Sequence, residues 1–307
     1  MTLRRTEEQH RNAQGLDLEA PRTVLRHLAE AQVEAASAVH DAIETIAKAA
    51  EAAAASLRSG NRVAYAAAGS SGLMALADAL ELPGTFGIPR DRIVVMLAGG
   101  TEALVNLAGA VEDDTEEARR AVAAAGLGEG DCLVAVSASG STPYAVAAIE
   151  EAKSRGVTTI AFANNAGTPL VSLADIGVVL ATPPELIAGS TRMGAGTAQK
   201  IALNMMSTLM AVHLGHVHDG YMINLHADNI KLRERAARMV AAISGCDPQQ
   251  AHRRLGEAGG SVKIAVLLEA GATDGRAARA LLDSSGQNLR AALSLLEGHG
   301  ASRKHGT

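Results

Sequence analysis

Five short runs of almost wholly apolar residues punctuate this chain, at 62–68, 92–97, 132–137, 158–163 and 176–180. A strand with one wet face alternates apolar and polar residues. These runs do not alternate, so they predict strands buried on both sides. Helical stretches lie between them, at about 102–111 and 142–154, with a shorter piece after 163. Strand alternating with helix in this way specifies a parallel sheet covered on both faces, an α/β fold.

The flanking sequence follows a different pattern. Residues 1–20 are polar and without a sustained period, and read as an arm. Residues 21–57 are rich in Ala, Glu and Leu, with no internal Gly or Pro, and predict one long helix or a broken pair. After Gly196, apolar helices are expected at 197–214 and about 225–243. Four shorter ones follow at 248–257, 262–270, 274–283 and near 288–297, separated by glycine-containing breaks. With 307 residues and roughly 150 per domain, about two domains fit. The expected layout is an arm and long helix over 1–58, a ligand-binding sheet domain over 59–243, and a small all-helical appendage over 244–307 whose last ten residues fray.

Composition narrows the function. The chain has no Trp, 3 Tyr and 2 Phe while being 48% hydrophobic, so Ala, Leu, Val and Ile fill the core and no aromatic platform stacks a ligand. Lys and Arg number 28 against 33 Asp and Glu, a net charge of −5, which excludes a global basic field for nucleic acid. Two cysteines, Cys132 and Cys246, are too few for a disulfide framework or a four-cysteine zinc site. The first residues lack the apolar stretch of a signal peptide, and no run of about 18 apolar residues offers a membrane span. A cytoplasmic enzyme or ligand-binding protein is expected, with no nucleic-acid or membrane partner.

Two glycine- and hydroxyl-rich loops follow strands: Gly69-Ser70-Ser71-Gly72, and Ser137-Ala138-Ser139-Gly140-Ser141-Thr142-Pro143. In an open parallel sheet, ligands bind beyond the carboxyl ends of the strands, where helix N-termini present free N–H groups. Taken singly, such serines and threonines are ordinary helix caps. Two loops on corresponding strand ends instead suggest a phosphate cradle, with Ser70, Ser71, Ser139, Ser141 and Thr142 as donors.

The second loop resembles the phosphosugar signature of sugar isomerase (SIS) domains. More of the chain resembles the N-acetylmuramic acid 6-phosphate etherases and the related glucokinase regulatory protein. The stretches that carry this are Thr6-Glu7 with Arg11-Asn12; Asp78-Ala79-x-Glu81-x-Pro83-x-Thr85-Phe86-Gly87; Ala98-Gly99-Gly100; and Glu112-Asp113. They continue with Thr142-Pro143-Tyr144; Pro184-Glu185; Gly189-Ser190-Thr191-Arg192-Met193; Ala195-Gly196-Thr197-Ala198-Gln199-Lys200; Leu203-Asn204-Met205; Asn229-x-Lys231-Leu232; and Gly245-Cys246. The resemblance implies an SIS-type doubly wound sheet and a homodimer. It also implies a lyase that removes D-lactate from an amino-sugar 6-phosphate in cell-wall sugar recycling, without a metal or cofactor. In the implied mechanism the opened sugar loses its C2 proton, the lactyl ether departs with acid help, and water adds to the unsaturated product. The family's two catalytic glutamates match Glu81, the acid, and Glu112, the base; Arg192 and Lys200 are its remaining cations. The chain departs from the family at Leu73, Ser141 and Gly194, where basic residues usually stand, and at Ala75, usually Gly. A non-catalytic sugar-phosphate-binding regulator and an aldose–ketose isomerase are the alternatives.

The residues themselves say less about the two glutamates. Glu81 lies between Leu80 and Leu82 in a helical run that Pro83 is expected to end. Apolar neighbours, and Asp78 one turn back, would favour its protonated form. Glu112-Asp113-Asp114 alone reads as a solvated acidic turn. His213, His216, His218 and His226 could present imidazoles to zinc, but no acidic or cysteine partner is closely spaced and no metal is expected. His226 is better suited to a substrate, in the polar stretch with Asn224, Asp228 and Asn229.

Overall fold

The computed structural model describes residues 4–106, 109–225 and 230–304. It divides into two compact units: Met1–Leu80 with Asp91–Leu209, and Glu81–Arg90 with Met210–Thr307.

The first unit is built on a five-stranded parallel sheet in the order β2-β1-β3-β4-β5. The strands are β1 (Val63–Ala67), β2 (Ile93–Leu97), β3 (Cys132–Ser137), β4 (Thr158–Ala163) and β5 (Ile176–Val179). Every residue of β1 and β3 is buried, as their unbroken apolar runs require. Alternate side chains feed opposite faces. On one face Ala64, Ala66, Leu133, Ala135 and Ala161 pack against α5 (Thr115–Ala124), α6 (Pro143–Ser154) and α7 (Pro169–Leu173). On the other, α2 (Ile43–Arg58) touches β1, β3 and β5, and Tyr65 reaches α3 (Gly69–Phe86). Alanine on strands and helices alike lets the layers approach closely without aromatic filling. The sheet is doubly wound, as expected.

Several local features differ from the expectation. The long N-terminal helix is a pair, α1 (Pro21–Ser37) and α2. They part at a 3₁₀ turn where the His40 ring bonds the Ser37 carbonyl at 2.8 Å and Val39 and Ala42 are buried. No Gly or Pro marks that break. The stretch at 102–111 is α4 (Gly100–Asn106) followed by a 3₁₀ turn, Gly109–Asp113, with 107–108 outside the described residues. Helix α5 was not anticipated. Pro83 does not end α3: the helix continues to Phe86 and stops where the Gly87 N–H bonds the Pro83 carbonyl at 3.0 Å and Ile88 N–H reaches Leu82 at 3.4 Å. Proline removes the N–H aimed at the Ala79 carbonyl and crowds that carbonyl, which weakens this last turn of α3 without ending it.

Helix α8 (Gly194–His213) leads from the first unit into the second. The second unit holds a hairpin of β6 (Val217–His218) and β7 (Tyr221–Met222), turned by Asp219 and Gly220 at positive φ. It continues with α9 (Ile230–Ser244), α10 (Pro248–Glu257), α11 (Val262–Glu269), α12 (Gly275–Ser284) and α13 (Leu289–Lys304). Asp247, Ser261 and Asp274 cap the first three short helices through backbone N–H groups. Their buried faces, including Val240, Leu255, Leu267 and Leu282, form one core. The tail expected to fray is helical through Gly298 as far as Lys304.

Candidate active site

Strand β1 is bordered by β2 on one side and β3 on the other, so the chain reverses its winding between β1 and β3. In such sheets the crevice beyond that point takes the ligand. The pairing of Ala67 with Val136 brings the ends of these strands together. The loop expected at 69–72 is instead the opening turn of α3, separated from β1 by Ala68 alone. That turn and the hydroxyl loop after β3 leave the sheet side by side.

In the second loop, hydroxyls bond one another instead of capping the helix. Ser137 Oγ shares hydrogen bonds with Thr142 Oγ1 at 2.7 Å and Ser139 Oγ at 3.3 Å, and accepts from Gly140 N–H at 3.1 Å. Ser139 Oγ accepts from Ser141 N–H at 3.2 Å and from its hydroxyl at 3.3 Å. Thr142 occupies the N-cap position of α6 without a side-chain cap bond. Gly140, at φ +69°, passes so close to Thr168 that a Cβ would collide with it. Ser139, Ser141 and Thr142 are half-buried, as is Ser70, while Ser71 is buried. These bonds hold the hydroxyls of the loop together at the N-terminus of α6.

Glu112 belongs to the same region. Its carboxylate lies against Gly69, the first residue of α3, and is half-buried. Burial raises its pKa above the usual carboxylate range, and the neighbouring Asp113 raises it further. The acidic turn is divided in its duties. Asp114 caps α5 by accepting from Glu117 N–H at 2.8 Å, and the Glu117 carboxylate holds the Gly99 N–H at 3.0 Å. The turn is thus held at Asp114 and Glu117, with Glu112 against the start of α3.

Glu81 does not have the apolar setting its neighbours in sequence suggested. It is exposed, and its carboxylate accepts from Thr85 Oγ1 at 3.4 Å. Leu82 is buried but Leu80 is 59% exposed. Asp78 is no partner for it, because that carboxylate is committed inward. Asp78 accepts from Tyr65 at 2.9 Å, Asn204 at 2.7 Å and Ser207 at 2.8 Å. Burial still raises the Asp78 pKa, although these bonds and Lys200 oppose the rise. Helical spacing put Asp78 and Glu81 on adjoining turns; packing decided which carboxylate is interior.

Arg192 lies in the turn before α8 and Lys200 on α8; both are exposed. The helix start between them is held by Glu185, 5% exposed, which accepts from Gly194 N–H at 2.9 Å and Ala195 N–H at 2.8 Å. The signal for Glu185 in the sequence is an acid shortly before a glycine-rich helix start, where a carboxylate meets free N–H groups.

His226, Asp228 and Asn229 lie outside the described residues. Among the described residues no group of three or more His, Cys, Asp or Glu side chains is arranged to hold a metal. Burial and Lys263 push the pKa of His216 down to about 4, which leaves it neutral. Arg4, read as part of a featureless arm, donates from Nη1 to Ser141 Oγ.

Comparison with known proteins adds an independent line. The SIS domain pattern matches residues 27–164. The chain is 40% identical over 299 residues to an N-acetylmuramic acid 6-phosphate etherase of Deinococcus radiodurans, covering 97% of this chain and 98% of that protein. It is 41% identical over 269 residues to the same enzyme of Symbiobacterium thermophilum, covering 87% and 89%. Among solved structures, a Bacteroides fragilis protein described as a phosphosugar isomerase involved in capsule formation superposes with a TM-score of 0.50 at 21% identity. It covers 66% of this chain and 97% of that one, a likeness of fold.

Proposed function

The chain belongs to the N-acetylmuramic acid 6-phosphate etherase family, and from that membership we propose that it cleaves the D-lactyl ether of N-acetylmuramic acid 6-phosphate. The observation that carries the mechanism is Glu112: a half-buried carboxylate of raised basicity, lying against Gly69, which opens the helical turn that carries Ser70 and Ser71.

The steps follow from the chemistry of the opened sugar. The phosphate sits on Ser70, Ser71, Ser139, Ser141 and Thr142. The C1 aldehyde acidifies the C2 proton, and Glu112 removes it. The electron pair at C2 forms the C2–C3 double bond as the C3–O bond to lactate breaks. Glu81 supplies the proton that leaves with lactate. Water then adds at C3 and gives a proton to Glu81, restoring the acid, and the proton taken by Glu112 returns to C2. A raised pKa suits Glu112, because a carboxylate that holds a proton more tightly is a stronger base near neutrality. The acid role of Glu81 rests on the family resemblance. Arg192 and Lys200 offer positive charge to the substrate's anionic groups. No helix among the described residues is long and apolar enough to cross a membrane. A cytoplasmic setting, a place in cell-wall sugar recycling and a homodimer complete the proposal. Leu25 and Val33 on α1, 65% and 69% exposed, are apolar surface that a second copy would cover.

The test is a panel of sugar 6-phosphates, with and without a 3-O-lactyl group, read by mass spectrometry. Lactate release from the lactyl ether supports the etherase. Aldose–ketose conversion without release would make the protein an isomerase, and binding without turnover would make it a regulator.

A further inference from the structure

The β3–α6 loop offers an anion only neutral donors of its own: the hydroxyls of Ser139, Ser141 and Thr142 and the backbone of a helix start. A phosphate dianion there needs a cation, and none stands on the loop. The N-terminal segment brings one. The Arg4 guanidinium donates to Ser141 Oγ across 137 residues of sequence. Arg4 is exposed, and among the described residues no carboxylate forms an ion pair with it.

The position of Arg4 is set by its chain neighbours. Thr6, two residues on, is 3% exposed. Its N–H donates to Asn165 Oδ1 at 3.4 Å, and Asn165 Nδ2 donates back to Thr6 Oγ1 at 3.1 Å. The same Nδ2 donates to the carbonyl of Ala138, the residue before Ser139, at 3.0 Å. The Thr6 carbonyl in turn accepts from Gly189 N–H at 3.2 Å. One buried amide thus ties the N-terminal segment to the hydroxyl loop, and two residues of chain span at most about 7 Å. Beside this anchor lies a cavity of about 460 Å³ lined by Arg4, Arg5, Glu8, Asn164, Gly167 and Thr168, among others.

We propose that Arg4 is the cation of the phosphate site, so that the N-terminal segment forms part of the substrate-binding surface. This rests on the proposed sugar-phosphate role of the loop. A guanidinium carries five donors in a planar fork. One arm can stay on Ser141 while others meet phosphate oxygens, the geometry in which charge-assisted bonds are strongest. The contact also explains how a loop with serine at position 141 holds a dianion.

The experiment compares the full-length protein with Arg4→Ala, Arg4→Lys and Thr6→Val. The dissociation constant of inorganic phosphate is measured by calorimetry, and kcat and KM with N-acetylmuramic acid 6-phosphate. Because Arg4 is exposed, its replacement leaves the core untouched. Arg4→Ala should weaken phosphate binding about tenfold or more and raise KM similarly, with kcat changed less than about threefold. Arg4→Lys should restore part of the loss, and Thr6→Val, which keeps the charge but removes the side-chain bond from Asn165, should weaken phosphate in the same direction and by less. Equal phosphate affinity in wild type and Arg4→Ala, or no phosphate binding by wild type, would overturn the proposal. Arg4-dependent phosphate binding without lactate release would uphold it and remove the etherase reading instead.

Discussion

The carboxylate of Glu112 rests against Gly69, so close that a single Cβ at position 69 would strike its Oε1. The contact joins the acidic turn before α5 to the start of the helix that follows β1. It gives one residue, with φ at +53°, two duties: starting α3 in a conformation that favours glycine, and leaving room for a carboxylate.

Gly69→Ala should therefore act on catalysis through Glu112. The left-handed backbone adds strain of about 1–3 kcal/mol, and the Cβ forces the carboxylate aside. A displaced base costs on the order of 10²-fold in rate. Steady-state kinetics should show kcat falling tenfold or more, with phosphate affinity changed much less.

The two glutamates can be separated by isotope exchange. Glu112→Gln should stop exchange of the C2 proton with deuterated solvent and stop lactate release. Glu81→Gln should retain the exchange and lose the release, because the carbanion forms but its leaving group lacks a proton. Each loss should be on the order of 10²–10⁴ in rate. Proton NMR follows exchange, and a coupled lactate assay follows release. Full ether cleavage in both variants would contradict both roles.

The raised pKa of Glu112 sets the acid side of the pH profile. The base works as carboxylate, so kcat/KM should fall as pH drops through its pKa, at a higher pH than an ordinary glutamate would give. Asp113 contributes to the rise through its negative charge. Asp113→Asn should move the acid limb downward while leaving the alkaline limb in place. A profile unmoved by Asp113→Asn would separate Glu112 from the acid limb.

Asp78 predicts a stability effect with a defined sign. Its folded pKa is raised, so its contribution is fully present below the unfolded value and is lost as pH rises through the folded one. Asp78→Asn should remove that pH dependence, and its amide keeps an oxygen for Asn204 and Ser207. Asp78→Ala should cost about 3 kcal/mol or more, since one unpaired buried donor alone costs about 1–3. Urea unfolding at several pH values measures both.

The strands were readable because a parallel sheet buried on both faces writes itself as uninterrupted apolar runs; 132–137 and 158–163 are β3 and β4 to the residue. The chain breaks after β1 and β3 were readable because glycine and serine interrupt the apolar runs, though at 69–72 the break is the start of a helix. Helix α5 was not, since its N-cap, Asp114, stands in an acidic run that resembles a solvated turn. The β6–β7 hairpin carries its signal in Asp219-Gly220, a pair suited to a tight turn. The inward commitment of Asp78 and the reach of Arg4 to Ser141 have no local signature: partners 126 and 137 residues apart in sequence meet only once the sheet has formed.

The central claim, cleavage by elimination at the sugar's C2–C3 bond, is tested most directly by the fate of solvent oxygen. The protein is incubated with N-acetylmuramic acid 6-phosphate in ¹⁸O-water, and both products are analysed by mass spectrometry. Elimination and re-addition predicts label at C3 of the sugar phosphate and none in the lactate hydroxyl. Label in the lactate hydroxyl, with the C3 oxygen unlabelled, would mean attack at the lactyl carbon and would contradict the mechanism.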